Sequence, residues 1–160
     1  MTDATRGQGA VRLVRRFGRL SSGRRLLLCE AVLWLAAARL ALSVIPFARI
    51  ATWFGALHTP AEVDRCARGS ATPEEDACAR EVGWAVARAA RFGPIHAVCL
   101  PQAIAAKAML NRRGIANVMH FGVARHAAEP MKAHAWLDAA GIEVTGFPIE
   151  PDMVEVACFV

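Results

Sequence analysis

The chain has 160 residues, of which 55% are hydrophobic, and a formal net charge of +5. This length is enough for one domain that buries a core without disulfides or metal ions, which argues against the class of small domains that depend on such cross-links. Five cysteines, an odd number without regular spacing, argue against a disulfide framework and favour a reducing compartment. We therefore expect one cytoplasmic domain preceded by an N-terminal extension.

The cysteines do not have the spacing of metal ligands. Cys66 and Cys78 could pair, or could join His58 at a metal ion, but the sequence contains no CxxC and no HxxxH motif. We expect no metal and no cofactor, and we interpret these cysteines as structural.

The N-terminus is basic. Residues 1–25 contain seven arginines and one acidic residue, Asp3, so this segment carries +6 and the rest of the chain is close to neutral. Such an arm can bind nucleic acid or an anionic membrane, or it can simply be solvated. Phe17 is the only aromatic residue in it, which argues against a nucleic-acid partner. We treat residues 1–23 as an arm that precedes a domain at residues 24–160.

The stretch that follows is very apolar. Residues 26–48 are long enough to cross a bilayer. Glu30 and Arg39 interrupt the stretch, and each costs roughly 2.5 to 3.5 kcal/mol near the centre of a membrane helix. We expect instead a helix over residues 24–44, closed by Pro46, that packs on its own domain or lies at a membrane surface.

Two more helices are predicted before the central motif. The stretch FARIATWFGAL, residues 47–57, indicates a short helix. A polar loop follows it, and Thr72 as N-cap with Pro73 at the first position marks the start of the next helix. Acidic residues in its first turn complement the helix dipole. We expect this helix to end near Arg91.

A cysteine stands at the start of the next predicted helix. Cys99 lies two residues before Pro101, and the helix runs to NRRG, residues 111–114, where Gly114 is the predicted left-handed cap. Free backbone N–H groups and the positive end of the dipole stabilise a thiolate at such a site, and they can hold a developing oxyanion. Nucleophilic cysteine enzymes need this arrangement, although a lone cysteine at a helix start is more often structural.

Four strands are predicted after this helix. Apolar residues partly alternate along residues 115–125, 131–139, 142–147 and 153–160. The second and third of these strands are joined by Ala140 and Gly141 as a tight turn. The predicted fold class is α+β, with N-terminal helices followed by a small antiparallel sheet.

A histidine on the second predicted strand is the candidate base. His134 follows Cys99 by 35 residues, and Trp136 lies on the same face of the strand. A thiol at a helix start and a base on a strand can meet only if the sheet packs over that helix. The pair is a candidate nucleophile and general base.

Several stretches together resemble the transglutaminase-like leader peptidases of lasso-peptide biosynthesis. They are ARAARFGPIHAVCLPQAIAAKAMLNRRGI, FGVAR, AHAWLDAAGIEVTG and the apolar helix LLLCEAVLWLAAARLALSVIPF. The resemblance covers residues 24–147, and its specific part is the Cys-Leu-Pro and Ala-His-Ala-Trp elements.

This resemblance implies a papain-like cysteine peptidase that removes the leader from a ribosomally made precursor. Cys99 would be its nucleophile and His134 its general base. A separate ATP-dependent cyclase would then close the macrolactam ring. A leader-binding domain does not fit beside the peptidase in 160 residues, so a separate leader-binding protein is implied.

One departure concerns the third catalytic residue. In the family it is an aspartate about a dozen residues after the histidine, where this chain reads Thr-Gly at residues 145–146. Asp138 lies four residues along the strand from His134, which is roughly 13 Å and too far to orient the imidazole. Asp152, Thr145 or a backbone carbonyl remain as candidates for the orienting group.

Two other functions stay open. Loss of the acid can leave a slower dyad, or it can mark a protein that binds peptide without cutting it. Such a noncatalytic protein would contact a membrane surface through residues 1–48. An acyltransferase is the second alternative, in which an amine rather than water captures a thioester at Cys99.

Overall fold

The computed structural model describes residues 17–18, 20–59, 72–92, 98–124, 131–139 and 141–160. Most of the basic arm, Cys66 and Ala140 lie outside the described residues. In chain order the elements are α1 Ser22–Val44, α2 Phe47–Ala51, β1 Leu57–His58, α3 Pro73–Phe92, α4 Cys99–Asn111, β2 Val118–Ala124, β3 Lys132–Ala139, β4 Ile142–Thr145 and β5 Val154–Phe159.

Helix α1 is the predicted apolar helix, and it packs on its own domain. Its buried residues face α3 and α4; they are Leu28, Ala31, Leu35 and Ala38. By length and composition alone it could also cross a membrane. Glu30 forms ion pairs with Arg113 at 2.6 Å and Arg112 at 3.3 Å, which tie α1 to the end of α4. The hydrogen bond from Arg113 holds the pKa of Glu30 below its usual value.

The start of α3 is the predicted one. The Thr72 hydroxyl accepts from the Glu75 backbone N–H at 3.2 Å, and the Glu75 carboxylate accepts from the Thr72 N–H at 2.8 Å. This reciprocal pair is a capping box, which fixes the first turn of the helix.

The predicted helix over residues 47–57 is wrong in its second half. Helix α2 ends at Ala51, and Leu57–His58 form an edge strand paired with β5. A short apolar run does not distinguish a helix from a strand, and here the open edge of β5 determines the outcome.

The five strands form one sheet in the order β1-β5-β2-β3-β4, and its pairs are antiparallel. We call the face that packs against the helices the inner face; Met119, Ala135 and Leu137 join the helices in one core there. We call the opposite face the outer face. Helices followed by an antiparallel sheet confirm the predicted fold class.

Candidate active site

Cys99 is the first residue of α4, as the sequence predicted. The thiol is partly buried and packs against the core of the inner face. The Gln102 N–H already donates to the Val98 carbonyl, and Pro101 has no N–H. The N–H groups of Cys99 and Leu100 therefore have no acceptor within the helix, because an acceptor four residues earlier lies outside it.

The His134 ring is oriented by a backbone carbonyl. Its Nε2 lies 2.6 Å from the carbonyl oxygen of Gly146. Because a carbonyl only accepts, Nε2 carries the hydrogen and Nδ1 keeps a lone pair. Of the three candidate orienting groups, the structure places the carbonyl at the ring. Thr145 is buried, and its hydroxyl has no partner among the described residues, while Asp152 is exposed in the turn before β5.

Gly146 lies in the region where the resemblance led us to expect an aspartate, and its backbone leaves no room for a side chain. Its φ is +84°, in the left-handed region that L side chains rarely adopt. A Cβ there would lie 2.6 Å from the Ala135 carbonyl oxygen and 2.7 Å from the Trp136 Cβ. At this position the chain offers His134 a backbone carbonyl and no carboxylate.

The candidate nucleophile and base are not bonded to each other. No hydrogen bond joins Cys99 to His134 among the described residues, although α4 packs against β3. The His134 ring stacks on Trp136, with 6.0 Å between ring centroids and 20° between planes. Within the same residues His134 Nδ1 makes no hydrogen bond. His134 alternates along β3 with Ala135 and Leu137, so its ring lies on the outer face, whereas Cys99 packs against the inner-face core. The structure therefore does not bring the thiol and the imidazole together, and the roles of both residues stay predictions.

The sequence analysis missed a second histidine on the outer face. His120 stacks on Trp136 with a centroid distance of 5.3 Å and an interplanar angle of 2°. It lies directly opposite Trp136 in the β2–β3 pairing. Trp136 also covers Gly122, where a Cβ would approach the indole to 2.8 Å. The register of β2 against β3 would have placed His120 beside Trp136, but the loop between these strands contains no turn motif from which the register could be predicted.

Both ring nitrogens of His120 meet carboxylates. Nε2 lies 3.0 Å from Asp138, and Nδ1 bonds to Glu155. Burial alone lowers the pKa of His120, but the hydrogen bonds and charges of these two carboxylates outweigh it and raise the pKa above its usual value. Asp138 therefore bonds to His120. The sequence analysis had predicted that Asp138 is too far along the strand to orient His134.

An apolar cavity lies between α1, α2 and α4. Trp34, Trp53, Ile104 and Lys107 are among its lining residues, and neither Cys99 nor His134 lines it. Burial lowers the pKa of Lys107 to about 8. Its ammonium donates to the Asn117 side-chain oxygen at 3.2 Å and to the Phe159 carbonyl at 3.4 Å, which ties α4 to the end of β5.

A family model described as the Transglutaminase-like superfamily matches residues 41–156, a range that contains Cys99, His134 and Gly146. That superfamily includes cysteine peptidases and acyltransferases. No match was found among curated proteins or among solved structures. With a match over most of its length and helices that precede a small antiparallel sheet, the chain belongs to the transglutaminase-like superfamily.

Proposed function

We propose that the protein is a cysteine endopeptidase that removes the leader from a lasso-peptide precursor before macrolactam cyclisation. The observation that carries the proposal is the orientation of His134, whose Nε2 is held by the Gly146 carbonyl. His134 lies on β3, and β3 packs against α4, the helix that begins with Cys99. The Cys-Leu-Pro and Ala-His-Ala-Trp elements support the assignment to leader peptidases within the superfamily.

In this mechanism the imidazole acts first as a base. His134 Nδ1, with Nε2–H held by Gly146, takes the proton of the Cys99 thiol as sulfur attacks the carbonyl at the leader–core junction. The N–H groups of Cys99 and Leu100 at the start of α4 stabilise the oxyanion. The tetrahedral intermediate collapses, His134 protonates the leaving amine, and water then releases the acyl-enzyme. The mechanism requires a conformation in solution in which the thiol and the imidazole meet, because in the structure Cys99 packs against the inner-face core and His134 stacks on Trp136 on the outer face.

A carbonyl in place of a carboxylate has a kinetic consequence. It fixes the tautomer and orientation of His134, but it carries no full negative charge to stabilise the imidazolium that forms. We expect a working dyad that is slower than a triad with an aspartate.

The substrate and partners follow from the same assignment. A separate leader-binding protein delivers the precursor, and an ATP-dependent cyclase takes the released core peptide. We place these steps in the cytoplasm, with no nucleic acid and no cofactor. The exposed stripe on α1, formed by Leu26, Leu33, Leu40 and Val44, supports contact of residues 1–48 with a membrane surface, next to the arginine-rich arm.

The test combines the purified protein, the leader-binding partner and a precursor peptide, with products followed by mass spectrometry. We expect cleavage at one junction, and loss of cleavage in both Cys99→Ala and His134→Ala. Cys29→Ala is the matched control, because Cys29 is an exposed free thiol on α1 and should leave cleavage unchanged. An intact precursor in the presence of a competent partner, bound equally by wild type and Cys99→Ala, would contradict the peptidase and leave the noncatalytic peptide-binding protein.

An acyltransferase is the second candidate, because the superfamily contains such enzymes. It shares every step up to the acyl-enzyme and differs only in the acceptor. The same mass spectra distinguish the two, since an amine acceptor adds its mass to the core peptide and water leaves a free carboxylate.

A further inference from the structure

Three side chains with metal-binding atoms converge on the outer face, apart from Cys99 and His134. They belong to His120, Glu155 and Cys158, and one ligand atom from each lies within 4.8 Å of the other two. The His120 nitrogen that contacts Glu155 is Nδ1. Cys158 pairs with His120 across β5 and β2, and its thiol donates to Glu155 at 2.7 Å. Cys158 is fully buried, and the His120 side chain is 10% exposed.

A bulge explains how Glu155 and Cys158 come to share a face. Residues three apart on a regular strand point to opposite faces. In the β2–β5 pairing, Phe121 is opposite Ala157 while Gly122 is opposite Glu155, so β5 holds one extra residue, Val156. The extra residue resets the alternation. This is why spacing in the sequence does not reveal the cluster.

Two protons lie where an ion would sit if both groups donate to an ionised Glu155 carboxylate, which only accepts. One is the thiol hydrogen of Cys158, and the other is assigned to His120 Nδ1 because that nitrogen contacts Glu155. A divalent ion that displaces both protons leaves the net charge of the cluster unchanged: M²⁺ binds thiolate, neutral imidazole and carboxylate, and two H⁺ leave. A buried group tolerates this exchange, because no new net charge is buried.

We propose that His120, Glu155 and Cys158 bind one divalent transition-metal ion of the zinc class. Sulfur, nitrogen and oxygen together form a donor set that zinc prefers. Asp138 accepts from His120 Nε2 at 3.0 Å, which is the outer carboxylate that fixes a metal-binding histidine. The site is independent of the peptidase proposal, and it would fasten β5 to the central strand β2.

The geometry needs one small movement. Neighbouring ligands of tetrahedral zinc lie roughly 3.3 to 3.6 Å apart, given bonds of about 2.0 Å to nitrogen and oxygen and 2.3 Å to sulfur. The Glu155 carboxylate must therefore move outward by about 1 Å from the contacts that it makes to its two neighbours. Its side chain is 28% exposed, so it can move toward solvent and leave the fourth position to water.

The test titrates tag-free, chelator-treated full-length protein with Co²⁺ and then Zn²⁺. We expect one ion per chain, a thiolate-to-cobalt absorption band that Zn²⁺ removes, and close to two protons released per ion. The band should vanish in Cys158→Ser and persist in Cys99→Ala, which removes the other thiol of interest. Asp138→Asn should weaken binding by about 10- to 100-fold and keep the band.

Two results would overturn the proposal. One is wild-type protein that is folded by circular dichroism and shows no thiolate band at saturating Co²⁺. The other is a band that survives in Cys158→Ser or is lost in Cys99→Ala. Because Cys158→Ser could fail to fold, Glu155→Gln is a second variant at a more exposed position, and it should weaken Co²⁺ binding by at least about 10-fold.

Discussion

The two faces of the sheet differ in what their side chains do. On the inner face Met119, Ala135 and Leu137 are almost fully buried and pack in one apolar core with the helices. On the outer face His120 and His134 both stack on Trp136. His120 bonds to carboxylates, and His134 bonds to a backbone carbonyl. Alternation along β3 separates the two sets. Folding stability and chemistry should therefore respond to different substitutions in the same strand.

The largest effect is expected on the inner face. Leu137→Ala removes a side chain that is fully buried and should cost roughly 2 to 5 kcal/mol of unfolding free energy, because it leaves a cavity in the core. Urea denaturation measures the loss. In conditions where the variant is folded, its affinity for Co²⁺, which tests His120, Glu155 and Cys158 on the outer face, should equal that of wild type. A large change in that affinity would show that the two faces are not separable.

The next effect comes from placing an aspartate at residue 146, in the region where the resemblance led us to expect one. Gly146→Asp should destabilise the protein by about 2 to 4 kcal/mol, because a side chain meets both the left-handed backbone and the Ala135 carbonyl. Gly146→Ala is the matched control and should lose a similar amount, which would assign the cost to the Cβ. If Gly146→Asp is as stable as wild type and cleaves faster, the backbone at residue 146 does not exclude an aspartate.

A smaller effect is expected between the helices. Glu30→Gln should cost roughly 1 to 3 kcal/mol near neutral pH, because it leaves the Arg113 guanidinium without its charged partner. The pKa of Glu30 is lowered in the folded state, so its contribution is full above the ordinary value of 4.5 and is lost as the pH falls through the folded value.

The difference in stability between wild type and Glu30→Gln should therefore shrink below pH 4.5. Urea denaturation of both proteins at several pH values measures it. Glu143→Gln changes an exposed carboxylate on β4 and serves as the control. A difference that stays constant down to pH 3 would argue against the ion pair.

The smallest effect is expected at the start of α3. Thr72→Ala removes one half of the capping box and should cost about 1 kcal/mol. Thermal denaturation measures it, and Thr72→Ser, which keeps the hydroxyl, should retain most of the stability. Equal losses in both variants would mean that the hydroxyl does not cap the helix.

The sequence predicted the elements that local signals determine, and it did not predict those that depend on distant parts of the chain. Helix α1, the Thr72 cap, the start of α4 at Cys99 and the four main strands were readable, because apolar periodicity and caps are local signals. The edge strand at Leu57–His58 was not readable, because it depends on an unpaired edge formed by the last residues of the chain.

The outer face depended on information that is not local. Placing His120 against Trp136 requires the register of β2 and β3, and placing Glu155 beside Cys158 requires the bulge in β5. A backbone carbonyl was one of three open candidates, but no sequence pattern shows which carbonyl turns toward a ring, and the structure identifies it as that of Gly146. Site residues at one helix start and on one strand were named, and their surroundings were not.

The most direct test of the central claim is the rate at which iodoacetamide modifies Cys99 near neutral pH, followed by peptide mapping in wild type and His134→Ala. We predict that wild-type Cys99 reacts at least about 10-fold faster than Cys99 in His134→Ala, because the imidazole takes the thiol proton. Cys29, which is exposed on α1, should react equally in both proteins. Equal Cys99 rates in the two proteins would contradict the pairing of Cys99 with His134 on which the proposed peptidase depends.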